Sequence, residues 1–409
     1  MNKTLLKKYA RLVVEKGANV QKGQGVVIYA AVDQQDFVCS LAQQCYKAGA
    51  KWVDVDWSCQ ELEKIIYRGE TITQLCKVPQ WRREKHQVIV DELPATIFIL
   101  SEDPDGLAGV NKEKLQKATV ARKKVRKIYM DQYDGKQQWV IAAVPSPKWA
   151  KKVFPELKKS EAVNKLWDAI LQTVRVNKDN DPIAEWDAHN KNLKARYQKL
   201  NSMKLDKLVF NSSNGTDFTV GMNPDFLWMG GEETTQSGVA YNPNMPSEEI
   251  FTTPMKGCAE GTVVSTMPLS YRGQLIENFS VTFKDGKAVD VKAEKGEDIL
   301  RDMIASDETA GYLGEVALIP KTSPIKETGI LFYETLFDEN ASCHLALGAG
   351  FNNVIPGYEK LSLEECVAKG VNDSIIHVDF MIGSEDMNIT GYDKDGKEFK
   401  IFENGNWSF

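Results

Sequence analysis

Three short apolar runs, GVVIYAA (25–31), KWVDVDW (51–57) and ATIFIL (95–100), are separated by stretches too long and too helical for hairpin turns. Residues 36–48 carry apolar side chains at helical spacing between the first two runs, as residues 5–16 do ahead of them. Strands joined through helices of a dozen residues pair in parallel, because the chain must cross over the sheet to begin each new strand. The spacing therefore predicts an open, mostly parallel α/β sheet up to about residue 180. The first run is apolar throughout, as a buried strand is, and the second alternates with period two.

Beyond that point the pattern changes. KDNDPI (178–183) interrupts it, a charged helix is expected over 184–203, and short antiparallel strands then dominate. LVFNSSNGTDFTVGM (208–222) reads as a hairpin turning at Asn214-Gly215, and 271–293 contains a second turning at Asp285-Gly286. The chain has 409 residues, room for two domains at roughly 150 residues each. The expected division is an α/β domain over 1–182 and a strand-rich α+β domain over 183–409.

Several function classes are excluded early. The formal net charge is -6, opposite in sign to the basic excess that nucleic-acid binding needs. The first strand–helix junction, YAAVDQQD, lacks the glycines that admit a pyrophosphate, and no GxxxxGK[ST] occurs. The N-terminal stretch MNKTLLKKYARLVVEKGANV is broken by Lys and Arg, so it reads as an amphipathic helix and not as a signal peptide. No apolar run reaches the ~18–20 residues of a membrane span. Seven cysteines, odd in number and without a CxxC pair, suit free thiols in a reducing cytoplasm.

The chemistry must be sought among few residues. Of the four histidines, His86 lies in a charged loop (REKHQ) and His189 in the charged helix (DAHNKN), and both read as solvated surface residues. His377 lies in SIIHVDFMIG, an apolar strand pattern in which alternation puts His377 and Asp379 on one face. A structural His–Asp hydrogen bond and a pair of metal ligands both produce that pattern. Glu315 in GYLGEVALIP is a carboxylate within an apolar strand, or else an edge residue or cap. In NMPSEEIFTTP one of Glu248 and Glu249 points inward, or both form an acidic turn. In LFDENASCHLALG, Glu339 and His344 are five apart, which suits a loop or a turn entering a helix better than one helix face.

Each signal alone is weak; their combination is informative. Burying an ionised carboxylate costs several kcal/mol unless it is paired or holds a metal. Imidazole with carboxylate is the ligand set of Zn, Mn or Co hydrolytic sites. Six such residues exceed the needs of one catalytic zinc and suit two ions roughly 3.5–4 Å apart. No HExxH or GxSxG is present, nor a Cys/His protease signature.

NMPSEEIFTTP, LGEVALIP, LFDENASCHLALG and IIHVDFMIGS, in this order and spacing, closely resemble the aminopeptidase T/S (PepS-like) family of metallopeptidases. The resemblance runs the length of the chain and includes the NGTDFTVGM hairpin. It implies that Glu249, Glu315, Glu339, His344, His377 and Asp379 bind two divalent cations, with Zn, Co and Mn as candidates, and that Glu248 is a solvated neighbour. It further implies a homodimer that removes single N-terminal residues from short peptides with a free N-terminus.

One departure stands out. Where the family carries a tyrosine held to help catalysis, seven residues beyond the metal-binding histidine, this chain has Phe351. The family's glycine-rich continuation is also altered, to Ile355-Pro356-Gly357-Tyr358, which puts a hydroxyl elsewhere in the same loop. A metal-dependent aminopeptidase is therefore expected, with Glu315 as the bridging carboxylate. Its rivals are a catalytically weakened metal- and peptide-binding homologue and a two-metal hydrolase of another amide.

Overall fold

The computed structural model describes residues 2–271 and 273–409. The chain divides into two compact units, Met1–Ala188 with Glu232–Pro246, and His189–Gly231 with Ser247–Phe409. The sequence pattern suggested a single cut at 182/183; instead the first unit draws in a later segment.

The first unit is built on a five-stranded sheet ordered Trp52–Ser58, Gly25–Ala31, Ala95–Leu100, Trp139–Ala143, Asn244–Met245, with every pair parallel. The Gly25–Ala31 strand is almost wholly buried, whereas the edge strand Trp52–Ser58 keeps its aspartates on the side reached by Lys85, whose ammonium lies 3.3 Å from Asp54 and 3.2 Å from Asp56. This is the burial expected of a covered strand beside a half-exposed one. Helix Lys3–Leu12 is fixed to the sheet by the buried Tyr9, whose hydroxyl donates to the Ala143 carbonyl at 3.0 Å and accepts from its N–H at 3.1 Å. The two-residue strand Asn244–Met245 draws the later segment in by pairing with Ile141 and Ala142.

The second unit is strand-rich and antiparallel. Its larger sheet has nine strands, including both hairpins foreseen from Asn-Gly and Asp-Gly. At the second turn Asp285 and Gly286 both adopt positive φ, 51° and 79°, the backbone that a two-residue hairpin turn requires. Its smaller sheet has four strands, in the order Ile250–Thr252, Leu313–Leu318, His344–Gly348, His377–Met381.

One hydrophobic core takes side chains from both sheets. Val316, Leu318, Leu345, Leu347 and Phe380 of the smaller sheet join Phe210, Phe218, Phe279 and Val281 of the larger. The rings of Phe279 and Phe380 stand 5.9 Å apart. Each such side chain, fully buried, contributes about 1.5–3 kcal/mol. With one face of the smaller sheet anchored this way, its other face is free to carry polar groups.

Candidate metal centre

Alternation decides which side chains that other face presents. Val316 and Leu318 point to the core, so Glu315 and Ala317 point away. The register sets Glu315 opposite Ala346 and Ala346 opposite Asp379, while Ala317 pairs with His344 and Gly348 with His377. Glu249 immediately precedes the Ile250–Thr252 strand, in which Ile250 pairs with Leu318. By the same alternation Glu249 falls on the Glu315 face. The middle strand contributes only small side chains there beyond His344, namely Ala346 and Gly348, and the acidic groups occupy the space they leave.

Gly348 is needed for a second reason. Its φ is 105°, and a Cβ there would stand 2.1 Å from the Ile376 carbonyl oxygen. Only glycine lets the two strands approach just before His377.

The donor atoms converge in two groups. Glu249, Glu315 and His344 offer atoms within 4.8 Å of one another, and so do Glu315, His377 and Asp379. Glu315 belongs to both. Its Oε1 lies 3.9 Å from His344 Nε2, its Oε2 lies 3.2 Å from His377 Nε2, and Glu249 Oε2 lies 3.5 Å from His344 Nε2. Glu249, Glu315, His344 and Asp379 are buried and His377 is partly exposed. Glu339 is in neither group; it lies on the turn Glu339–Ala341, in contact with Asp379.

Both imidazoles are oriented through Nδ1. That of His377 stands 2.7 Å from the Ala349 carbonyl oxygen, and that of His344 stands 3.3 Å from the Ser342 carbonyl oxygen. A carbonyl only accepts, so Nδ1 is the donor in each ring, which leaves Nε2, facing the carboxylates, as the atom a cation would take in place of a proton.

Electrostatically the cluster is frustrated without a cation. Burial pushes Glu249 well above the usual carboxylate range, and the charges of Glu315 and Asp379 push it further. Burial raises Glu339 in the same way, reinforced by Asp379 and Glu249. Burial acts to lower His377 and is the largest single influence, but the charges and hydrogen bonds of Asp379 and Glu315 together outweigh it and hold the ring well above its ordinary value. Burial would raise Asp379 too, yet His377 keeps it below the usual range. Asp379 Oδ1 lies 3.3 Å from His377 Nε2, an ion-pair distance, but among the described residues it accepts no hydrogen bond. A buried carboxylate oxygen without a hydrogen bond, beside two convergent donor sets, is what a metal site looks like to its own protein. Four carboxylates with two neutral imidazoles balance two divalent cations in charge. The residues fit such ions.

The other residues singled out in the sequence fall as follows. His86 lies on the helix Gln80–Glu92 and not in a loop, with its ring 5.4 Å from that of Tyr129. His189 is not solvated: its side chain is 10% exposed and Nε2 lies 2.7 Å from the Ser247 carbonyl oxygen. Glu248 is also buried, with a carboxylate oxygen 3.9 Å from His189 Nε2, so the resemblance misplaced it in solvent. His344 begins a strand, not a helix. The Phe351 ring stands 4.9 Å from the His377 ring and 5.2 Å from that of Phe251. Its backbone is held by Thr253, whose Oγ1 accepts from the Phe351 N–H at 2.8 Å and donates to its carbonyl at 3.2 Å. Tyr358 lies on the turn Tyr358–Lys360, against the small apolar cluster of Phe226, Val354 and Cys366. Asn340, fully buried, escaped the sequence reading; an amide beside an acidic residue in a turn carries no signal by itself.

The profile of the thermophilic metalloprotease (M29) family matches residues 2–407. Aminopeptidase AmpS of Bacillus subtilis is 43% identical over 405 residues, which cover 99% of this chain and 98% of that protein. Aminopeptidase 2 of Geobacillus stearothermophilus is 40% identical over 405 residues, with the same coverage. The solved structure of wild-type AmpT from Thermus thermophilus superposes with a TM-score of 0.92 at 38% identity and covers 100% of both chains.

Proposed function

The chain belongs to the thermophilic metalloprotease (M29) family and is a metal-dependent aminopeptidase, and we propose that it works with two divalent ions that share Glu315. Zn, Co and Mn are the candidates, since imidazole and carboxylate suit all three. The observation that carries the proposal is the division of Glu315, with one oxygen toward His344 and the other toward His377.

In this reading Glu249, Glu315 and His344 would hold one ion, and Glu315, His377 and Asp379 would hold the other. Ions held there supply Lewis acidity, which lowers the pKa of water and polarises the scissile carbonyl. The Ala349 and Ser342 carbonyls keep the two rings turned so that Nε2 serves as the ligand atom. Glu339 closes the set beside Asp379. Being in neither donor group, its carboxylate takes a proton from water and returns it to the leaving amine. Acidic residues of the cluster hold the free α-ammonium of a short peptide, which restricts release to the N-terminal residue. A homodimer and a cytoplasmic setting belong to the same proposal, the first carried by the family resemblance, the second by the seven free thiols. No helix among the described residues is long and apolar enough to cross a membrane.

Phe351 favours a second reading. A phenyl ring beside His377 fills space but donates no hydrogen bond to an oxyanion, so a homologue with weakened turnover that chiefly binds peptides is the alternative. The test is release of free amino acid from di- and tripeptides, unblocked and N-acetylated, with Co²⁺, Mn²⁺ or Zn²⁺ added. The proposal expects release from unblocked peptides alone. Hydrolysis of the acetylated peptides points to a hydrolase of another amide, and peptide binding without release under any metal supports the weakened homologue.

A further inference from the structure

Glu249 is placed differently from the other strand ligands. Glu315, His344, His377 and Asp379 lie within paired strands, where the ladder fixes their direction. Glu249 stands just before a strand of three residues, whose pairing to its neighbour begins only at Ile250. Something else must set the backbone that delivers its carboxylate.

The peptide unit between Ser247 and Glu248 is gripped at both polar ends by side chains. Its carbonyl oxygen accepts from His189 Nε2 at 2.7 Å, and its N–H donates to Asn340 Oδ1 at 2.8 Å. The carbonyl and N–H of a trans peptide point in opposite directions, so two bonds from opposite sides fix the rotation of the plane. Asn340 is itself buried and held by further hydrogen bonds. Its Nδ2 donates to the Leu336 carbonyl at 2.9 Å, which leaves Oδ1 as the acceptor, and its own carbonyl accepts from Ser323 Oγ at 2.7 Å. It also directly follows Glu339 in the turn Glu339–Ala341.

We propose that His189 and Asn340 are positioning residues that lock the Ser247–Glu248 peptide and so aim Glu249 at its metal, with Asn340 tying that aim to the turn that carries Glu339. The inference rests on the reading of Glu249 as a ligand. A purely structural role, satisfaction of one buried peptide unit, would lower stability and leave coordination unchanged. Disturbing groups that orient metal ligands typically costs ~10–100-fold in metal affinity.

The test is titration of EDTA-stripped protein with Co²⁺ alone, followed by calorimetry and by the visible absorption of the bound ion. His189→Phe and Asn340→Ala are expected to weaken one of two binding steps by ~10–100-fold and to alter the visible spectrum. His189→Gln, which keeps a donor, is expected to restore both. Two Co²⁺ bound with wild-type affinity and spectrum in His189→Phe and Asn340→Ala overturns the proposal. If Asn340→Ala proves unfolded by circular dichroism, His189→Phe decides alone. Glu249→Ala is the control that separates the two levels. If it too binds both ions as wild type does, the ligand reading itself fails; if it alone loses an ion, only the positioning inference fails.

Discussion

The ring of Phe351 stands 4.9 Å from the ring of His377, the planes inclined at 53°. A side chain so close to a ligand of the proposed second ion is well placed to meet the substrate carbonyl, yet it offers no hydrogen-bond donor. Phe351→Tyr is therefore expected to raise kcat on an unblocked dipeptide by ~10²-fold while KM changes little, since one oxyanion donor is worth ~10²–10³ in turnover. Steady-state kinetics checks this. An unchanged kcat would mean that this ring position does not reach the reacting carbonyl.

Ala346 is the second point of leverage. It is fully buried between Glu315 and Asp379 in the strand register. Ala346→Val adds two methyl groups where the carboxylates need room. Overpacking of this kind typically costs ~1–3 kcal/mol, and Co²⁺ affinity is expected to fall with it. Denaturant unfolding and metal titration of the same variant measure the two effects.

Stability of the metal-free protein should fall as pH rises. Glu249 and Glu339 are raised, chiefly by burial, and burial pushes Asp338 up to about 8. A raised folded-state pKa contributes stability that is complete below the unfolded value, ~4 for carboxylates, and is lost as pH climbs through the folded one. His377, also raised, follows the same sign from its unfolded value near ~6.5. Asp379, lowered, has the opposite sign and matters only in acid, where its contribution fades below ~4. Calorimetric Tm of EDTA-stripped protein is thus expected to drop between about pH 5 and 8. Saturating metal should reduce that drop, because on the proposed ligand set cations would replace the protons on Glu249 and His377.

Much of this was legible in the residues themselves. The Gly25–Ala31 and Ala95–Leu100 strands are continuous apolar runs, and both hairpins announce themselves by Asn-Gly and Asp-Gly. His377 and Asp379 share a face because strand side chains alternate, and that needs no tertiary information. What stayed hidden depends on contacts between distant segments. Asn244–Met245 is too short to show a period, so its pairing with the Trp139–Ala143 strand could not be read. His189 looks solvated because its helix is charged, and the carbonyl that it meets lies 58 residues further on. Glu248 looks solvated because the side chain that receives its backbone N–H, Asn340, lies 92 residues further on.

The central claim is that one carboxylate, Glu315, serves two ions at once. Metal content and Co²⁺ titration of the wild type against Glu315→Ala test it most directly. The account predicts two ions per chain in the wild type, and loss of both, together with peptide hydrolysis, in the variant. One ion per chain in the wild type, or a Glu315→Ala protein that still binds two, would contradict it.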